Sequence, residues 1–146
     1  MIKSLKALFE HPERKSSETE EHDLHLAAAA LLVETARADF DEDSIELESL
    51  ERLLPTTLKI SAEEVKSLIP TAQERVDKAT SLYEHTRVIN QHCSAEQKIK
   101  LIATMWKVAY ADGNLDKYEE HLIRQVAELV FVPHSDYIKC KLAARD

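Results

Sequence analysis

Five helix-start pairs in this 146-residue chain place a Ser or Asp three residues before a Glu or Gln: Ser17 with Glu20, Asp43 with Glu46, Ser61 with Glu64, Ser94 with Gln97, and Asp116 with Glu119. A helix leaves its first amides without partners inside the helix. In this arrangement the first side chain accepts from the amide three residues on, and the second reaches back to the amide of the first. Each pair is therefore a helix-start signal, and apolar residues at helical spacing follow. With one glycine and four prolines in the chain, little material is left for the glycine turns that β-hairpins favour. The expectation is an all-α fold of about seven helices.

The Ser17 pair opens a helix running to about Ala38. The Asp43 pair opens one carrying Leu47, Leu50, Leu53 and Leu54, which Pro55 should stop. From Ser61 a third helix presents Val65, Leu68, Ile69, Ala72 and Val76 on one stripe, and Pro70 should kink or split it. A fourth covers Leu82 to about Gln91. The fifth starts at Ser94 and buries Ile99, Ile102, Met105, Trp106 and Ala109. In the sixth, opened by Asp116, the spacing turns Tyr118, Leu122, Ile123, Val126, Leu129 and Val130 inward until Pro133 ends it. A last short helix holds Tyr137, Ile138 and Leu142.

At 16.6 kDa the chain suits one domain with its own core. The expected organisation is a short amphipathic helix and polar linker over residues 1–16, then a helical domain over 17–146. Nineteen basic against 27 acidic residues give a formal charge of −8. Nucleic-acid binding is disfavoured, because phosphate neutralisation needs clustered Lys and Arg; acidic patches draw cations or a protein partner with a basic surface. Cys93 and Cys140 lack metal-binding or redox spacing and read as reduced core thiols. Residues 1–9 lack the features of a secretory signal, and the apolar run LHLAAAALLV is half of what a bilayer needs. A cytoplasmic location is expected.

At an offset of 73, ARADFDEDSIE (residues 36–46) matches AYADGNLDKYE (residues 109–119). Ala36 pairs with Ala109, Ala38 with Ala111, Asp39 with Asp112, Asp43 with Asp116 and Glu46 with Glu119. Each copy ends one amphipathic helix and begins the next, and Leu50 with Ile123 and Leu53 with Val126 continue the register. This predicts a duplicated helical hairpin, related by an approximate two-fold axis, with residues 61–93 packing across both. Gly113 sits where a helix ends in the left-handed region, which glycine enters without a Cβ clash. Asp112 beside it meets the negative end of the helix dipole, an unfavourable contact of roughly 0.3 to 1 kcal/mol that a cation or the next helix start would offset.

The stretch ADGNLDKYEEHLI, with LIATMWKVAY before it, resembles the tellurite-resistance TerB-like family of bacterial proteins. Ala111, Asp112, Gly113, Leu115 and Glu119 carry the likeness, and Ala38, Asp39 and Glu46 repeat it more loosely, over residues 20–142 in all. The resemblance implies an all-helical fold of two similar halves, acidic residues that bind divalent metal, and a link to stress responses to tellurite and other toxic agents. Phe40 stands where the pattern has glycine.

The candidate metal residues are Asp39, Asp112, Glu46, Glu119, Asp43 and Asp116, with calcium, magnesium, manganese and zinc indistinguishable. Asp39, Asp41 and Asp43, like Asp112, Asn114 and Asp116, have the opening spacing of an EF-hand, but Ser44 and Leu50, or Lys117 and Ile123, replace its Gly and Glu, which excludes that loop. The competing reading has Asp43 and Asp116 as helix caps, Glu46 and Glu119 as their partners, and the seven acids of residues 39–51 as a solvated rim. His22 and His25, one turn apart, lack a third ligand. No nucleophile with a base and no phosphate loop is evident, so a non-enzymatic protein is expected. Its alternative is a structural adaptor whose acids only cap helices and whose residues 1–9 dock a membrane or partner, with self-association left open.

Overall fold

The computed structural model describes residues 21–38, 44–111 and 115–145, the side chains of 44–47 excepted. Among these residues there are seven helices and no strand. They are α1 (residues 21–37), α2 (Ser44–Leu58), α3 (Ala62–Lys78), α4 (Tyr83–His92), α5 (Ala95–Ala109), α6 (Lys117–Leu129) and α7 (His134–Arg145). The all-α expectation is met. The segment expected over residues 1–16, the Ser17 pair and Gly113 lie outside the described residues.

Buried apolar side chains from all seven helices form one cluster. Its centre is α1, where Leu26, Ala27, Ala28, Ala29, Ala30, Leu31, Leu32 and Val33 are all buried. Burial on every side of a helix is the signature of an element surrounded by others rather than lying at a surface. The four alanines allow close approach, and Thr35, also buried, satisfies its hydroxyl by donating to Leu31 O at 2.8 Å. Around α1, α5 packs on α7, α2 and α6, while α2 also meets α3.

The 73-residue offset is visible in the helices themselves. Shifted by 73, residues 21–37 fall on 94–110 and so on α5, while α2 matches α6 and α3 matches α7 within a residue at their starts. The repeat thus extends past the hairpin to a third helix in each half, and α4 joins the halves.

Capping follows the local signals. Ser94 accepts from Gln97 N at 3.2 Å while Gln97 Oε1 accepts from Ser94 N at 2.7 Å, and Ser61 accepts from Glu64 N at 3.1 Å. The prolines behave differently from expectation. Pro55 does not stop α2, which runs to Leu58. The helix ends instead at Lys59, in the left-handed region with φ 57°, and Ile60 N donates to Pro55 O at 3.2 Å. That six-to-one bond is a Schellman closure, and it uses the proline's carbonyl, which the missing N–H leaves unimpaired. α6 ends the same way: Phe131 has φ 62° and Val132 N donates to Ala127 O at 2.9 Å, so the helix is over before Pro133. Nor does Pro70 split α3, which is continuous through it. Pro70 and Lys66 are both exposed, so the Lys66 carbonyl that loses its partner lies on the solvent side, where hydration replaces the bond.

In α6 the inward stripe is Glu119, Ile123, Val126, Ala127 and then Val130, all buried. Tyr118 and Leu129, expected to face inward, are 60% and 38% exposed. In the first turn the core-facing position is held by Glu119, whose carboxylate turns back to the helix start, and Tyr118 beside it faces outward.

Candidate functional site

Of the six candidate carboxylates, Asp39, Asp43 and Asp112 and the side chain of Glu46 lie outside the described residues. Asp116 and Glu119 are described, at the start of α6. Asp116 Oδ1 accepts from Tyr118 N at 2.8 Å, and Glu119 Oε1 accepts from Asp116 N at 3.3 Å. The pair is a complete capping box, and Glu119 is fully buried. Both residues therefore have a structural task at the positive end of a helix dipole, where negative charge is stabilised. Among the described residues no group of three His, Cys, Asp or Glu is arranged to hold a metal ion.

Near this helix start lies a cleft of about 400 Å³. The end of α1 contributes Glu34, Arg37 and Ala38, α3 contributes Val76, and α6 contributes Tyr118, His121 and Leu122. Ala38 immediately precedes Asp39 in the chain, and Tyr118 follows Asp116 by two residues. The helix leading into the first acidic corner and the helix leaving the second thus border one cavity. Burial raises the Glu34 carboxyl above the usual carboxylate range, with the Arg37 guanidinium acting against it. Arg37 is itself paired with Asp77 of α3, which ties the end of α1 to the third helix of its own half. Glu34, Arg37 and His121 were not singled out from the sequence. Glu34 and Arg37 come from α1 and His121 from α6, and no spacing along the chain marks such a set.

The remaining candidates separate by position. His22 and His25 line a groove of about 340 Å³ together with Glu63 and Glu64 of α3. His85 is buried in α4, and its loss of hydration lowers its pKa. His134 stacks on Tyr137, which in turn packs on Trp106 with ring centroids 5.2 Å apart. Burial pushes the thiols of Cys93 and Cys140 upward, opposite to the shift that activates a cysteine nucleophile. Both are free thiols.

A family profile described as tellurite resistance protein TerB matches residues 25–142. The chain belongs to the TerB family. The matched span takes in most of α1 and all of α2 to α6, so both halves of the repeat and the cleft between them are part of the TerB domain. No curated protein and no solved structure gave a significant match. Among the described residues no helix is long and apolar enough to cross a membrane.

Proposed function

We propose that this TerB-family chain is a non-catalytic bacterial stress-response protein, tellurite-resistance-like, that binds divalent cations or a partner protein through its acidic helix turns. The observation that supports this reading is the shared cleft: Ala38, at the edge of the first corner, and Tyr118, just past the second, line the same cavity. Seven acids in residues 39–51 and a net charge of −8 favour cations over anions as ligands. Calorimetric titration with calcium, magnesium, manganese and zinc tests it, with the Asp39→Asn, Asp112→Asn double variant as control. Saturable heat that the variant loses is the expected result. No heat from the native chain, or the same heat from the variant, removes the cation.

A second reading has the acids serving only as caps, with the protein acting as a structural adaptor that docks a membrane or partner through residues 1–9. The completed cap bonds of Asp116 and Glu119 favour it. Deleting residues 1–9 and following fractionation and co-purification tests whether that segment does the docking; unchanged behaviour argues against it.

A further inference from the structure

On another side of α1 the two halves of the repeat enclose a cleft of about 290 Å³. It is lined by two pairs of residues related by the 73-residue offset, Leu24 with Gln97 and Ala28 with Leu101, so equivalent turns of α1 and α5 face it together. The C-terminal end of α2 and the side of α4 close the remaining walls. Its floor is apolar: Ala28, Ile89 and Leu101 are at most 4% exposed.

The rim has a different character. Lys59 and Lys100 are exposed at its edge, and among the described residues neither is in a salt bridge. Among the described residues Glu21 is the sole carboxylate lining the cleft. Two lysines with no salt bridge among the described residues thus line a cleft with an apolar floor on a protein of net charge −8. Lys59 is held by the end of α2 through the Ile60 N to Pro55 O bond. Gln97, in the first turn of α5 and part of its capping box, also lines the cleft, which places the positive end of a helix dipole at the same rim.

We propose that this cleft binds a small apolar carboxylic acid, of the chemical class of a medium-chain fatty acid, with its alkyl chain on the Ala28, Ile89 and Leu101 floor and its carboxylate between Lys59 and Lys100. An apolar cleft with a few convergent polar groups is the usual form of a small-molecule site, and this volume lies at the lower end of the range. That size selects a short ligand. The two cations at the mouth select an acid over an alcohol of the same length, because only the carboxylate gains charge-assisted contacts. Cys93, half-buried in the wall, reports on occupancy.

The test uses the full chain with hexanoate, octanoate, decanoate and decanol. Calorimetry is expected to show saturable binding that tightens about fourfold per added methylene, the ratio that alkyl burial gives. Decanol is expected to bind about tenfold more weakly than decanoate, and the Lys59→Gln, Lys100→Gln double variant to lose about tenfold for decanoate but not for decanol. Saturating decanoate is expected to slow alkylation of Cys93 by N-ethylmaleimide. Absence of saturable binding, equal affinity for decanol and decanoate in the native chain, or unchanged Cys93 alkylation at saturation overturns the proposal.

Discussion

Thr57 and Thr104 face each other across α2 and α5 with hydroxyl oxygens 3.2 Å apart. Each hydroxyl also lies within bonding distance of a carbonyl of its own helix, Thr57 with Leu53 O and Thr104 with Lys100 O, both at 2.9 Å. Two hydroxyls carry two protons, and three bonds require three. One contact is therefore always without a donor, and the cross-helix bond alternates with the carbonyl bonds. It also links the second helix of one half of the repeat to the first helix of the other.

Replacing either threonine by valine is expected to cost about 1 kcal/mol, the net worth of one hydrogen bond. Because the two hydroxyls share protons, the double variant should cost less than the sum by about 0.5 kcal/mol or more. Urea denaturation of the four proteins in a double-mutant cycle measures this, and strict additivity would show that the contact carries no energy.

At Phe131, φ is 62° and the ring is 77% exposed. A left-handed backbone costs a residue with a Cβ roughly 1 to 2 kcal/mol. The Lys98 ammonium lies 5.9 Å from the ring centroid, which returns part of that. Phe131→Gly is expected to stabilise the protein by about 1 kcal/mol, a rise in Tm of roughly 2 to 4 °C for a chain of this size. Lys59→Gly should act in the same direction. Calorimetric melting is the measurement, and a lower Tm for Phe131→Gly would mean that the ring contributes more than its contacts suggest.

Asp116 separates the two functional readings. As a cap it needs only an oxygen, so Asp116→Asn should leave stability nearly unchanged and Asp116→Ala should cost about 1 kcal/mol. Were it also a cation ligand, Asp116→Asn would weaken binding without loss of stability. Chemical denaturation and cation titration on the same two variants give both numbers.

His85 predicts an acid sensitivity. Its folded pKa lies below the ordinary value of 6.5 because burial disfavours the imidazolium, with Glu84 opposing and Arg75 assisting. The unfolded chain therefore takes up a proton first as pH falls, and stability present above about pH 6.5 is lost on the way down to the folded pKa. Glu34 acts with the opposite sign: its raised carboxyl pKa favours the folded state as pH falls toward 4.5. Urea midpoints at pH 7 and pH 5.5 should fall for the native chain and fall less for His85→Leu. Parallel changes in the two proteins would remove His85 as the cause.

Much of the fold could be read along the chain because its controlling signals are local. Ser94 with Gln97 and Asp116 with Glu119 act across three residues, and the structure forms both boxes. The 73-residue offset also needed no coordinates. Hydrophobic periodicity failed at Tyr118, since counting apolar residues gives no weight to a glutamate that takes an inward position by bonding to its own helix start. The helix ends at Lys59 and Phe131 were hidden for a related reason: neither is the glycine that usually marks a left-handed terminus. The cleft flanked by Glu34 and His121 depends on how α1, α3 and α6 pack, a relation between elements that no sequence spacing records.

The burial of α1 on every side has a consequence for how the molecule could be divided. Although the chain is built from two similar units, the middle of α1, residues 26–33, keeps no face for solvent, so a fragment ending at Lys78 would strand its alanine-rich core in water. Separately expressed fragments 1–80 and 81–146 should each be unfolded alone and regain helical structure only when mixed, the behaviour of one cooperative body rather than of two beads on a string.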